Sequence, residues 1–214
     1  MPAPTGYPRR DVEDLVRSII AVLAIANPLG AVPLFLSLTE FGDPQQRGRA
    51  ALQAALAVFL ILALAALGGR AILAVFGISI PAFRAAGGLV ILLMGLEMLR
   101  GYPTRVQHER APDSPDDAIV IPLAMPLIAG PGAITTVITL TSQAPGWRGQ
   151  LHAFVAVAVT ASVLLLTLRS SVWISRRISE RGQRIFLRFM GLILVSIGAQ
   201  LLLTGVRTFL PPSG

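Results

Sequence analysis

From residue 15 to residue 207 the chain is a series of apolar blocks separated by short polar or turn-rich stretches, and this pattern limits its fold more than any other feature. The blocks cover approximately residues 15–38, 50–76, 82–99, 118–141, 151–173 and 186–207. Each is near or above the roughly 20 residues that a helix needs to cross the hydrocarbon core of a bilayer. Charged side chains make up 14% of the 214 residues, against about 25% in a soluble domain. They are too few to coat a water-facing surface. The expected fold is therefore an all-α membrane protein with six transmembrane helices, forming one integral membrane domain over residues 1–214, with the lipid bilayer as its first partner.

The charges raise two other readings. Arg9-Arg10 ahead of an apolar run, with Ala24-Ile25-Ala26 beyond it, has the outline of a cleaved signal peptide. Against it, Asp11, Glu13 and Asp14 follow the arginines, Arg17 interrupts the start of the run, and the run continues to Leu38. Residues 15–38 are read as a retained first span. The net charge of +7 could indicate nucleic acid. But all 18 basic residues are arginines, and they sit in the short loops between apolar blocks, where membrane topology puts them. No nucleic-acid partner is expected.

The sequence also repeats itself. Adding 103 to a position in the first half lands on its counterpart in the second: Pro28 on Pro131, Phe83 on Phe186, Gly88-Leu89 on Gly191-Leu192, Gly95 on Gly198 and Leu99 on Leu202. Glu97 falls on Gln200. Repeat one covers about residues 15–100, repeat two about 118–207, and a linker over 101–117 joins them. With three spans in each half, the second half enters the membrane from the opposite side. The expectation is two inverted three-helix repeats, the arrangement of many secondary transporters. Loops 39–49, 100–117 and 169–188 hold eleven arginines and the other side, with both termini, holds seven. This bias places the first set of loops in the cytoplasm and both termini outside it.

Spans one and four are broken in the middle by proline and glycine. The first reads Ala26-Asn27-Pro28-Leu29-Gly30-Ala31-Val32-Pro33, and the second Pro126-Leu127-Ile128-Ala129-Gly130-Pro131-Gly132-Ala133-Ile134-Thr135-Thr136. Proline removes a backbone donor and disfavours helix at the residue before it. In hydrocarbon the freed backbone groups must be satisfied by protein or by a water-filled cavity. Asn27, Ser37, Thr39, Thr135, Thr136 and Thr139 are close enough in sequence to help. A single break is most simply a kink. A pair of breaks at repeat-related positions points to a midplane binding site. A half-helix N-terminus suits a carboxylate, and freed carbonyls suit an ammonium group or a cation. The candidate substrate-binding residues are Asn27, Pro28, Gly30, Gly130, Pro131, Gly132, Thr135 and Thr136.

These two segments, with Pro33-Leu34-Phe35-Leu36-Ser37-Leu38-Thr39 and the stretch Gly77-Ile78-Ser79-Ile80-Pro81-Ala82-Phe83-Arg84 leading into Gly87-Gly88, resemble the MarC family of inner-membrane proteins. The resemblance covers residues 12–208. It implies a six-span protein of the inner (plasma) membrane. The family is associated by name with multiple antibiotic resistance and is classed with small neutral amino acid transporters, so the resemblance also implies transport.

Glu97 lies late in the third span, three residues before Arg100. It reads either as half of an interfacial ion pair or as a proton-coupling carboxylate. His108 and His152 have no ligand spacing, the chain has no cysteine, and neither a hydrolytic triad nor a phosphate-cradling glycine loop occurs. No metal, cofactor or enzymatic activity is expected. The combined expectation is an ion-gradient-driven secondary transporter of small solutes, above all small neutral amino acids. An exporter or channel for other metabolites or toxic compounds, a non-transporting membrane scaffold, and a homo-oligomeric assembly stay open.

Overall fold

The computed structural model describes residues 8–39, 43–100, 128–142 and 147–210. The linker 101–117, the first part of the fourth span (118–127), and His108 lie outside the described residues. In chain order the helices are α1 (Pro8–Ala26), α2 (Pro28–Leu38), α3 (Pro44–Val75), α4 (Ile80–Arg100), α5 (Pro131–Leu140), α6 (Trp147–Arg169), α7 (Ser171–Arg177) and α8 (Glu180–Phe209).

Local chemistry sets several of these ends. Asp43 and Gln46 open α3 with a reciprocal capping box: the Gln46 N–H donates to Asp43 Oδ1 at 2.6 Å and the Asp43 N–H to Gln46 Oε1 at 3.2 Å. Pro44 takes the first helical position, where its missing N–H costs nothing. The helix closes at Gly77, which takes the left-handed backbone (φ 67°). There the Gly77 N–H reaches Ala74 O at 3.1 Å and the Ile78 N–H reaches Leu73 O at 2.9 Å, a Schellman ending. Ser179 caps α8 by accepting from the Gly182 N–H at 3.2 Å.

Among the described residues, five segments are long and apolar enough to cross a membrane: Val12–Leu38, Pro44–Val75, Ile80–Arg100, Trp147–Arg169 and Arg181–Phe209. The longest, α3, has 32 residues, which is about 48 Å of helix against roughly 30 Å of hydrocarbon. Its ends therefore extend beyond the core. Leu56, Leu60, Leu64 and Leu67, three or four residues apart on α3, are all at least half exposed. So large an outward apolar stripe fits lipid and not water. By contrast α5 has ten residues, which is about 15 Å of helix and half a crossing.

Two of the expected boundaries change. The fifth span, expected to run to residue 173, ends at Arg169. The stretch 174–185, expected as a loop, is mostly helical, in α7 and the start of α8. At Ser170 the backbone turns (φ −89°, ψ 5°) and α7 begins, although the Ser170 N–H still reaches Leu166 O. The bend falls on Arg169, Ser170 and Ser171, and Val172, Trp173 and Ile174 resume the apolar run at once beyond it, so the sequence pattern carries no record of the change of direction.

The interior is built on small residues. Ala50, Ala51, Ala54 and Ala55 of α3, and Ala153 and Ala156 of α6, are all buried. Phe59 and Phe154 meet edge to face at 5.5 Å between α3 and α6. The most extensive pairing joins α4 to α8. A methyl group on Gly88 would lie 2.8 Å from Gly198 O, and one on Gly95 2.7 Å from Gly191 O. A methyl on Gly205 would lie 2.7 Å from Pro81 O. As residue numbers rise along α4 they fall along α8, so the two helices are antiparallel and touch backbone to backbone. Small residues permit this approach, and packing replaces the hydrophobic drive that lipid cannot supply.

Candidate functional site

The first break is one residue wide. Asn27 ends α1, its N–H donating to Leu23 O at 3.0 Å, and it also caps α2. Its backbone is left-handed (φ 42°, ψ 64°), a conformation that asparagine tolerates better than most residues. The Gly30 N–H donates both to Asn27 O at 3.0 Å and to the Asn27 side-chain Oδ1 at 3.3 Å. Pro28 has no N–H to return to Ala24 O, and the Gly30 N–H has turned to Asn27 instead of Ala26. Two carbonyls at the end of α1 are thus released from the helical ladder. Gly30 has little choice of side chain, since a Cβ there would lie 2.9 Å from Asn27 Cγ and closer still to Nδ2.

The second break differs. Gly130 precedes α5 with an extended backbone (φ −72°, ψ −179°) and provides no side-chain cap. Pro131 is exposed, whereas Ile128, Ala129, Gly130 and the rest of α5 apart from half-buried Ile134 are buried. A methyl on Gly132 would lie 2.7 Å from Ile91 Cγ1 on α4 and 3.5 Å from Ile25 Cγ2 on α1. Thr135 fits directly over Gly87 of α4. The contacts Gly132–Ile91 and Thr135–Gly87 run in opposite senses along the two helices, so α5 is antiparallel to α4. Ile25 lies two residues before Asn27, so the start of α5 packs beside the end of α1.

Most of the polar groups near the breaks serve their own helices. Thr136 Oγ1 donates to Gly132 O at 2.9 Å, Thr39 Oγ1 to Phe35 O at 2.8 Å and Ser37 Oγ to Leu34 O at 2.8 Å. Such back-bonding satisfies a hydroxyl inside an apolar helix. Thr139 on α5 and Thr160 on α6 are different: both are fully buried and their Oγ1 atoms have no hydrogen-bond partner among the described residues. A bare buried hydroxyl costs about 1–3 kcal/mol. Sequence reading named Thr139 only as a neighbour of the break and missed Thr160. Thr160 shares the apolar run of α6 with Ser162 and Thr167, which bond back to their own helix, so the sequence had no signal to single it out. Ile25, Gly87 and Ile91, which enclose Gly132 and Thr135, carry no chemistry that a sequence would flag.

Glu97 stands on the exposed side of α4, two turns beyond Ile91 and apart from the buried threonines. Its repeat counterpart Gln200 is also exposed, with Nε2 3.5 Å from Thr204 Oγ1. Among the described residues, no group of three or more histidine or carboxylate side chains is placed to hold a metal ion.

A protein-family model described as "MarC family integral membrane protein" matches residues 12–210. A membrane protein of Methanocaldococcus jannaschii is 35% identical over 200 residues, covering 92% of this chain and 98% of its own. The membrane protein YhcE of Escherichia coli is 33% identical, covering 90% of this chain and 91% of its own. The inner membrane protein MarC of Citrobacter koseri is 35% identical, covering 88% and 91%. No solved structure matches the chain.

Proposed function

Starting from the fact that the chain belongs to the MarC family of integral membrane proteins, we propose that it is a secondary transporter of small solutes whose site lies between the two breaks. The observation that carries this reading is the packing of Gly132, at the start of α5, beside Ile25, two residues before the first break. The start of α5, with no side-chain cap, packs beside the end of α1, where the Ala24 and Ala26 carbonyls have left the ladder. An N-terminal helix end and a set of released carbonyls are the complementary halves of a site for a zwitterion. In this reading Asn27, Pro28 and Gly30 form one wall, and Gly130, Pro131, Gly132, Thr135 and Thr136 the other. Small neutral amino acids are the substrate class that fits this chemistry and the small side chains around it.

An inverted pair of three-helix repeats is part of the same proposal, and the helix contacts support it. Under the 103-residue offset, the contact of Gly88 with Gly198 becomes that of Gly191 with Gly95, and both are present. The approach of Gly88 to the Leu202 N–H likewise becomes that of Gly191 to the Leu99 N–H. Inner-membrane placement follows the description of the Citrobacter relative. Proton coupling through Glu97 is a separable component. Glu97→Gln is expected to leave solute binding intact and to remove the dependence of flux on a pH gradient.

The test is uptake or counterflow in proteoliposomes of purified protein across a panel of amino acids. Saturable, gradient-dependent flux is expected, and no flux for any of the panel would overturn the proposal. A second reading, a non-transporting scaffold, is favoured by one observation: Gly132 and Thr135 pack tightly against Ile25, Gly87 and Ile91. Thr139→Val separates the two. In a dry scaffold, removing a bare hydroxyl leaves stability equal or higher. In a transporter whose solute or ion uses that hydroxyl, the same protein stays folded and loses flux.

A further inference from the structure

From Arg169 to Arg188 the chain holds six arginines and one carboxylate, Glu180, and so carries a net charge of +5. The segment joining α2 to α3 does not offset it, since residues 39–49 carry Glu40 and Asp43 with as many arginines, Arg47 and Arg49. Arg176, Arg177, Arg181, Arg184 and Arg188 are all exposed. Arg181, Arg184 and Arg188 stand three and four residues apart on one face of α8, where they and Ile185 line a cavity of about 170 Å³. On α7, Trp173 is 62% exposed, and the Arg177 guanidinium lies 5.5 Å from its ring centroid, one turn along the same helix.

The depth of this region follows from helix length. Residues 186–207, the apolar block of the last span, make about 33 Å of helix, a full crossing. The start of α8, residues 180–185, therefore lies outside the hydrocarbon, and α7 joins it there after the turn at Ser170. An exposed tryptophan belongs at that level. Topology alone does not account for the charge. Orientation follows the count of basic residues and largely ignores carboxylates, and the stretch 100–117 meets that rule with three arginines among four carboxylates. A negatively charged membrane surface responds instead to net positive charge, which the stretch 169–188 supplies. Guanidinium forks match the oxygens of a lipid phosphodiester, and Trp173 and Ile185 offer apolar surface to the glycerol and upper acyl region beneath it.

We propose that α7 and the start of α8 form a docking surface for anionic phospholipid headgroups, separate from the two breaks and independent of the transport reading. The chain has two tryptophans, and Trp147 opens α6 at its far end from α7, so Trp147→Phe leaves Trp173 as a local reporter. The full chain with that substitution is reconstituted in phosphatidylcholine vesicles. Increasing amounts of brominated phosphatidylglycerol or, in parallel, brominated phosphatidylcholine are included, and quenching of Trp173 is read. Phosphatidylglycerol should quench as though bound about fivefold more tightly or better, the factor that a single arginine near an anionic surface supplies. The preference should shrink as salt is raised. Arg176→Gln/Arg177→Gln/Arg181→Gln should bring the ratio of the two affinities close to one. Arg70→Gln/Arg207→Gln, at the opposite helix ends, should leave it as in the parent. Should the triple variant not fold, the salt series and Arg181→Gln alone, an exposed position, give a smaller fall in the same ratio. Equal quenching by the two lipids, a preference indifferent to salt, or equal loss in the triple and double variants would overturn the proposal.

Discussion

Asn27 occupies a backbone conformation that few side chains accept, and one side-chain hydrogen bond to the Gly30 N–H fastens the next helix to it. This is the holding role that an asparagine before proline can fill. Asn27→Ala loses the cap and keeps the left-handed φ, and is expected to cost about 2–3 kcal/mol in thermal or denaturant unfolding in detergent. Asn27→Gly relieves the φ and should cost clearly less. Equal stability of the parent and Asn27→Ala would mean that the bond contributes nothing. Gly30 is the other half of the device. A Cβ on Gly30 meets the Asn27 side chain, so Gly30→Ala should destabilise by about 1–2 kcal/mol in the parent and by nearly nothing when Asn27 is already glycine. Additive costs in that double-mutant cycle would refute the steric coupling.

Among the elements, the α4–α8 pair is the most demanding in its packing. Built methyls on Gly88 and Gly198 strike backbone atoms of the facing helix, which cannot rotate aside. Gly88→Ala and Gly198→Ala are each expected to lower stability by about 1–3 kcal/mol, read as a fall in the unfolding midpoint. Gly68, in the middle of α3, has nothing within 4 Å of a built Cβ. Gly68→Ala should be neutral or stabilising by about 0.5–1 kcal/mol through helix propensity. If all three substitutions behaved alike, glycine at the crossing would be a matter of composition and not of contact. The sequence shows the spacing of these glycines and their repetition. It does not show that they face one another, because two helices far apart in sequence choose their faces only when they pack.

For the whole molecule, the arginine count predicts an orientation with both termini outside the cytoplasm. The chain contains no cysteine, so single cysteines report side without background. Ser213→Cys should react with a membrane-impermeant maleimide from outside intact spheroplasts. Gln45→Cys, at the start of α3, should react only after permeabilisation. The opposite pattern would reverse the orientation taken from the arginine count.

Helical membrane architecture was determined by the sequence alone, since long apolar blocks leave the backbone no satisfactory state in lipid other than a helix. The place of the first break was equally legible, because Asn27-Pro28 removes a donor and disfavours helix wherever it occurs. The bend at Ser170 was not legible, since the three polar residues Arg169, Ser170 and Ser171 are followed at once by Val172, Trp173 and Ile174 and read as a brief interruption of one span. Tertiary structure alone decided that Gly132 and Thr135 pack beneath Ile25, Gly87 and Ile91, that Thr139 and Thr160 find no hydrogen-bond partner among the described residues, and that Arg49 and Arg176 line one cavity. Each of these joins residues from separate helices. Periodicity and local chemistry fix what a helix is and where it stops, but the pairing of its surface with another depends on which backbones can approach, and that is settled only when all the helices are in place.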